Sequence, residues 1–584
     1  MSSESTNLSK IKREKLLETI SKIKENINDD EVLKNLSQIE FELTRKKFGL
    51  IWEEHKERVD EELETNIPIF EEVKKNEIVN NENDKFNFLL EGDNLHSLYL
   101  LEKTHKEKVD VIYIDPPYNT GKEDFVYNDK YIDELDGYMH SKWLSFMNKR
   151  LSIAKNLLKN DGIIMISIDD NEYAQLKLLC DDIFGVENLL SVQHIQVRYA
   201  DKTLNEKNDW QPVMEYVLIY AKKKENFNAN KPKEDYSIDK FIYEFKELTN
   251  GYEFEVKGRK VTVFKKGEWQ LIKHKTPAMN LLKETWVSGS IYTGTGNGTM
   301  VQNVIEPRVE TDGYGSLYKI DGLGEDGLGY RYFTGPQKEG ATRSKMFSGV
   351  PIKRSEEMDS GESVKYKSIP NYHDFSADFG NIRHEGGVGF NSGKKPVKML
   401  KQFINFHPNK NAIVLDFFAG SGSTGQAVLD LNKDDNGNRS FILCTNNENK
   451  ICEEVTYPRI RNVINGYGKY SPLPCNLKYY RTGFVPKINT DEDNLYENLL
   501  ADIKNLVQLE NGVNINNKEI RIFLTEEEID EFSVNTEEVE NCKIIYISSD
   551  VLLTNNQKEL FEQNGIDIFT IPEYYFDKEI KEVQ

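Results

Sequence analysis

Two short stretches of this 584-residue chain carry residue types at spacings that do chemistry. The first is Asp115-Pro116-Pro117-Tyr118, directly after the apolar run 109–114. Two successive prolines remove two N–H donors and fix the backbone, which aims the carbonyls of Asp115 and Pro116 in a defined direction. A carboxylate and a carbonyl converging on one point suit an exocyclic NH₂ group, and Tyr118 adds a flat face for a heteroaromatic ring. An ordinary proline turn has the same local signature, so this motif does not settle the chemistry alone. The second stretch is Asp416-Phe417-Phe418-Ala419-Gly420-Ser421-Gly422-Ser423-Thr424-Gly425, after the apolar run 412–415. Glycines at a strand-to-helix turn let the backbone approach a ligand, and a helix starting near Thr424 presents free N–H groups to a carboxylate or phosphate. Gly420, Gly422 and Gly425 also match the dinucleotide fingerprint, which leaves a nicotinamide or flavin cofactor open at this point. No Lys follows the glycines, so this is not the phosphate loop of an ATPase. An acid after the next strand is expected to meet a ribose, and Glu448 in TNNEN is the nearest.

Positioning these residues requires strands that end at both motifs. From Phe86 onward, short apolar runs alternate with amphipathic stretches: strand 109–114, helix 138–159, strand 162–168, helix 171–184, strand 189–197 and strand 214–221. After an interruption the rhythm resumes with strand 411–416, helix 424–431, strand 440–445 and helix 450–464. Such β/α alternation predicts a mainly parallel sheet covered on both faces and split by an insertion. Asp169 and Asp170 close one strand and read as an N-cap for the next helix. Upstream, Leu16, Ile20, Ile23, Ile27, Leu36, Ile39 and Leu43 recur at helical spacing, which predicts N-terminal helices with one apolar face. Residues 285–393 hold 19 of the 37 glycines, interleaved with tyrosines including Tyr292, Tyr314, Tyr318, Tyr330, Tyr332, Tyr366 and Tyr372, and read as loops and short strands. Within 337–400, 11 basic against 8 acidic side chains sit beside aromatics that can meet bases, although an insertion stabilised by its own aromatics explains the composition equally well.

Composition narrows the class. Lys+Arg total 76 and Asp+Glu 98, a net charge of −22, but residues 488–584 carry 23 acidic against 7 basic side chains. The acidity is mostly C-terminal, so a polyanionic partner is not excluded: binding follows the local field over one face. A hydrophobic fraction of 38% with 29 Phe and 29 Tyr excludes wholesale disorder. No apolar signal core or run of about 20 apolar residues is present, which predicts a cytoplasmic protein with no membrane partner. Cys180, Cys444, Cys452, Cys475 and Cys542 form no CxxC and the His form no HExxH, so no metal is expected.

Asp-Pro-Pro-Tyr followed about 300 residues later by the DxFxGxGxTG pattern resembles the β-group amino-methyltransferases of DNA. LLEGDNLHSLYLL, SKWLSFMNKRLSIAKNLLKNDGIIMISIDD and TNNENKICEEVTYPRI bring the chain closer to the modification subunits of type III restriction-modification systems. The resemblance implies a Rossmann-like, S-adenosylmethionine-dependent methyltransferase sheet of α/β class with circularly permuted motif order. It implies S-adenosyl-L-methionine as cofactor and adenine N6 of duplex DNA as target; N4-cytosine methylation, or a non-catalytic DNA-recognition subunit, are the alternatives. Domains are expected at 1–85 (helical), 86–222 (catalytic half), 223–393 (target-recognition insertion), 394–480 (cofactor half) and 481–584 (small acidic α/β region). By the same resemblance Asp115, Pro116, Pro117 and Tyr118 are catalytic. Asp416, Phe418, Gly420, Gly422 and Thr424 would hold the methionine end of the cofactor, Asp93 its adenine side, and Lys395-Pro396 would help enclose it. A homodimer and a separate restriction subunit carrying the ATP-driven motor are the implied protein partners; the chain itself has no Walker motif.

Overall fold

A computed structural model describes residues 8–25, 27, 29–44, 52–81, 84–121, 125–127, 130–131, 137–202, 209–256, 258–288, 301–341, 343–360, 364–389, 394–487, 492–515, 518–549 and 551–571. Tyr292 and the boundary expected at 393 lie outside them. The chain divides into two compact units, Met1–Asn230 with Pro370–Gln584, and Lys231–Ile369.

The larger unit is built on ten strands: β1 (Asn66–Glu72), β2 (Phe86–Glu91), β3 (Val109–Ile114), β4 (Leu158–Ile168), β5 (Leu189–Gln196), β6 (Met214–Ala221), β7 (Tyr372–Asp374), β8 (Ile413–Asp416), β9 (Ser440–Thr445) and β10 (Asn476–Pro486). Their spatial order is β1-β10-β2-β9-β8-β3-β4-β6-β5-β7. From β10 to β4 every pairing is parallel. At the centre, β3 is buried along its whole length, as a strand covered on both faces must be. Its one charge, Asp110, is neutralised by Lys159 Nζ (2.8 Å) and also accepts from Asn409 Nδ2 (3.0 Å) and the Ile413 N–H (2.9 Å). β6 runs antiparallel to both β4 and β5, so its first residues lie at the edge where the parallel strands end.

The helices that matter for the site are α1 (Leu8–Lys24), α2 (Asp30–Thr44), α3 (Asn94–His105), α4 (Met139–Leu157), α5 (Tyr173–Phe184), α6 (Val397–Ile404), α7 (Ser423–Asp435) and α8 (Tyr457–Asn465). Two expected boundaries move. β4 begins at Leu158, taking the end of the expected helix 138–159 and starting four residues before the expected strand. The expected helix 450–464 is interrupted: Asn449 and Lys450 have positive φ, and a wide turn at Cys452–Thr456 precedes α8. Pro458 lacks an N–H to donate and its ring crowds the carbonyl four residues back, so a regular helix cannot run through it from upstream.

Residues 370–389, expected with the insertion, fall with the larger unit, while β10 runs across the boundary expected at 480. The smaller unit holds an eight-stranded antiparallel sheet, in the order 252–256, 259–264, 317–321, 330–334, 343–348, 282–288, 241–247, 269–273. Several of its aromatics are core rather than surface: Tyr318, Tyr332, Phe333 and Phe347 are buried, and Phe245 meets Tyr332 and Phe347 at 4.6 and 4.8 Å. The C-terminal region adds a parallel three-stranded sheet, 520–523, 544–547 and 567–570. It also adds the acidic helices Glu526–Val534 and Thr536–Asn541, whose short, charged sequences carried too little apolar rhythm to be read. No helix among the described residues is long and apolar enough to cross a membrane.

Candidate active site

Asp115 leaves the end of β3 into a clamped loop. The Trp143 indole N–H on α4 donates to the Pro117 carbonyl at 2.8 Å. Asn119 turns the chain in the left-handed region (φ 58°), buried, with Nδ2 donating to Glu172 Oε1 (2.5 Å) and the Met139 carbonyl (3.3 Å). Asn tolerates that conformation better than most side chains, which is why it follows Tyr118 here. Glu172 in turn meets His140 Nδ1 at 2.6 Å. Burial pushes the Glu172 carboxyl up to about 7, with Asn119 and His140 opposing it.

Tyr118 OH lies 3.0 Å from both Asp115 Oδ1 and Glu215 Oε2. Lys395 Nζ sits among the same groups, 3.1 Å from Asp115 Oδ1, 3.0 Å from Glu215 Oε2 and 2.8 Å from Tyr118 OH. Two carboxylates, one ammonium and one phenol therefore share a largely buried cluster. Burial raises the Asp115 carboxyl, Lys395 pulls it back and Glu215 pushes it up again, leaving it above the ordinary range. Burial works against the Lys395 ammonium, but the two carboxylates overcome it and hold the proton more firmly than usual.

The neighbouring strand supplies the second half. β8 pairs with β3 in the register Val414 with Val111 and Leu415 with Ile112, so Asp416 and Asp115 emerge at the same edge of the sheet. Asp416 accepts from Thr424 Oγ1 (2.5 Å) and from the Phe418 N–H (3.0 Å). Burial pushes its carboxyl up to about 7, those two donors opposing and Asp115 adding to the rise. Gly420 (φ 47°) faces open space: a β-carbon there would meet nothing nearer than the Phe418 carbonyl at 3.9 Å. Ser421 and Ser423 are held from behind by Arg459 Nη1, at 3.2 and 2.8 Å.

Both motifs line one cleft of about 930 Å³, with Asp115, Pro116, Pro117 and Tyr118 on one side, Asp416, Phe418, Gly420 and Thr424 on the other, and Lys395 also on its wall. Its volume and its mix of apolar and convergent polar groups suit a nucleoside-sized ligand. An open glycine turn beside a helix start is the cradle that the carboxylate end of S-adenosylmethionine requires, so these residues fit that cofactor.

Gly422, Asp93, Glu448 and Pro396, all expected at the cofactor, are not on the cleft wall. Gly422 caps α7 in the left-handed region, and a β-carbon there would come within 3.1 Å of Thr456 Cγ2, so it shapes the turn from behind. Asp93 caps α3 by accepting from the Leu95 N–H (2.7 Å) and pairs with Arg150 Nη2 at 3.3 Å. Glu448 is exposed in the turn before Ile451, which does reach the cleft. Lys395 is at the cleft, but its ammonium lies on the catalytic-motif carboxylate rather than in the glycine turn. Asp169 caps no helix by the expected pattern; its Oδ1 accepts from the Asn171 N–H two residues on, at 2.9 Å. Glu215 was not anticipated. A carboxylate at the start of the otherwise apolar strand MEYVLIYA was the available signal, but only the antiparallel pairing of β6 brings it to Asp115.

A mainly parallel sheet, with acids emerging from adjacent strands into one cleft and an antiparallel strand beside them, is the Rossmann-like fold of an S-adenosylmethionine-dependent methyltransferase, its motif order circularly permuted. The chain belongs to the DNA methylase family, whose profile matches residues 109–456. The Mod subunit of the type III restriction-modification enzyme StyLTI of Salmonella typhimurium is 32% identical over 428 residues, covering 68% of this chain and 58% of that protein. The EcoPI Mod subunit of Escherichia phage P1 is 30% identical over 453 residues, covering 72% of this chain and 66% of that protein. The chain thus spans 58% and 66% of the length of these two curated relatives. Among solved structures, the PvuII DNA methyltransferase (cytosine-N4-specific) aligns with a TM-score of 0.30 at 11% identity, covering 74% of this chain and 97% of that one.

Proposed function

We propose that this chain methylates the N6 amino group of an adenine flipped out of duplex DNA, as the modification subunit of a type III restriction-modification system. The observation that carries the reading is the single cleft shared by Asp115 and Asp416 at the ends of paired strands. Phe418, Gly420, Thr424 and Asp416 would hold the cofactor, with Gly422 shaping the turn beneath. S-adenosylmethionine, when bound, supplies an electrophilic methyl group.

The amine of adenine is a poor nucleophile because its lone pair is delocalised into the ring. Asp115 and the Pro116 carbonyl accept its two N–H bonds, drawing the nitrogen toward a tetrahedral geometry and localising that lone pair. The rate gain is one of positioning and electrostatics. Pro117 and Trp143 hold the loop still while this happens, and Tyr118 stacks on the flipped base, offsetting part of an unstacking cost of about a few kcal/mol. Arg198, Tyr199 and Lys202, which also line the cleft, suit the phosphates and sugar of the extruded nucleotide. The inserted unit is the proposed target reader; Trp286 is exposed on it with Lys345 Nζ 4.9 Å from its ring centroid, a pairing suited to bases and backbone.

Asp115 favours adenine over N4-cytosine, since the cytosine enzymes of the resembled group more often carry Ser there. The test is to incubate the chain with in vitro amplified, unmethylated bacterial genomic DNA and labelled cofactor, then digest to nucleosides. N6-methyl-2′-deoxyadenosine is expected; N4-methyl-2′-deoxycytidine would overturn the adenine assignment, and no label would favour a non-catalytic recognition subunit. The relatives' names, each a Mod subunit of a restriction-modification enzyme, support a separate restriction subunit as partner. A homodimer is proposed with α1 and α2 as its contact, because Leu16, Ile23, Ile39 and Phe41 stay exposed there; light scattering on the purified chain tests it.

A further inference from the structure

We propose that Lys395 and Glu215 are a positioning pair for Asp115, holding its carboxylate by Oδ1 so that the ionised Oδ2 is presented to the target amine. The inference rests on the methyl-transfer reading and assigns Lys395 to the catalytic carboxylate instead of the cofactor enclosure. Three observations lead to it. Asp115 Oδ1 takes both the Lys395 contact (3.1 Å) and the Tyr118 contact (3.0 Å), whereas Oδ2 has no hydrogen bond among the described residues. An acceptor already engaged twice is a poor site for an incoming N–H, and the other oxygen is then the one available. Next, Glu215 Oε2 binds the same ammonium at 3.0 Å, so Lys395 is tethered from a second strand and cannot swing into the cleft without losing both partners. Finally, the phenol of Tyr118 has one proton and two carboxylates at equal distance, and the Lys395 contact to its oxygen (2.8 Å) fixes the ring between them.

Charge explains why both members are needed. Asp115 is partly buried, its side chain 19% exposed, and faces Glu215 from β6, Asp416 from β8, Tyr113 from its own strand and Tyr118 from its own loop; Lys395 is the one cation in contact with it among the described residues. Burial and two like charges favour the neutral acid, which is a weaker acceptor for an amine N–H than a carboxylate, and the ammonium offsets part of that preference. Glu215 adds to Asp115 in keeping the ammonium protonated against burial, while its own charge pushes the Asp115 carboxyl up.

The two partners therefore have opposite effects on the acid limb of the rate. Single-turnover transfer of labelled methyl groups to unmethylated genomic DNA is measured from about pH 5 to about pH 9, with cofactor affinity measured by calorimetry on the full chain. Lys395→Met is expected to move the acid limb up by about one pH unit or more while cofactor affinity stays within about threefold. Glu215→Gln is expected to move the limb down, and Lys395→Arg to keep it near the wild-type position. A loss of cofactor affinity of about tenfold in Lys395→Met with an unmoved limb would return Lys395 to the cofactor enclosure and overturn the proposal. So would shifts of the same sign in Lys395→Met and Glu215→Gln. If Lys395→Met fails to fold, the direction of the Glu215→Gln shift decides. Failure of the wild-type chain to transfer label would instead refute the methyl-transfer reading itself.

Discussion

On the proposed mechanism Asp115 works under two demands, since it must lie in a largely buried site beside the transferring methyl group and be ionised to accept an amine hydrogen bond. The first raises its proton affinity and Lys395 answers the second. Its neutral isostere therefore separates binding from chemistry: Asp115→Asn keeps the shape of the loop but turns one oxygen into a donor that faces the amine's own N–H groups. Transfer is expected to fall by about 10³-fold or more, with cofactor affinity changed by less than a few-fold, because the glycine turn is untouched. Rate and calorimetric affinity on the same preparation check this. The residue types of the motif were legible in the sequence, since Asp, two prolines and Tyr in succession restrict the backbone wherever they stand. Glu215 was not legible, because an isolated Glu in a strand has no local pattern that names its partner.

At the scale of elements, the β8-to-α7 turn depends on glycine for two separate reasons. Gly420 must leave space, and Gly422 must adopt φ 76° with Thr456 close by. Gly422→Ala combines a left-handed alanine, costing about 1–2 kcal/mol, with a β-carbon 3.1 Å from Thr456 Cγ2. Cofactor affinity is expected to fall by about tenfold while the acid limb of transfer stays in place, since Asp115 and Lys395 are unaltered. Titration of the variant with S-adenosylmethionine reads the first and the pH profile the second. Strand identities in the larger unit were visible from periodicity: β6 and β9 were expected at their observed bounds. The break before α8 was missed because a wide turn follows from crowding around Pro458, and hydrophobic spacing does not report crowding.

For the molecule as a whole, three buried carboxyls, Glu172, Asp416 and Asp502, are each pushed up to about 7 by burial. A carboxyl whose folded proton affinity exceeds its unfolded one contributes stability that is complete below about pH 4 and is lost as pH rises through about 7. Asp502 lies away from the cleft and accepts from the Phe70 N–H at 3.1 Å, a bond an amide oxygen can keep. Asp502→Asn is therefore expected to raise the melting temperature by about 2 °C or more at pH 8 relative to its effect at pH 5. Thermal scans of both proteins at the two pH values check it, and an effect larger at pH 5 would contradict the assignment.

The alternation of strands and helices from β3 to β6 and from β8 to β9 and the two motif turns were determined by the amino-acid sequence itself, because each follows from side-chain period or from residues within one turn of each other. Only the tertiary structure decided that Asp93 and Gly422 stand off the cleft wall, that Lys395 serves the Asp115 side of it, and that Glu215 completes the cluster. The ion pairs among them join residues from 57 to 280 positions apart, as with Asp93 and Arg150 and with Asp115 and Lys395. They depend on strand direction and register, which the chain settles only when the whole sheet is assembled.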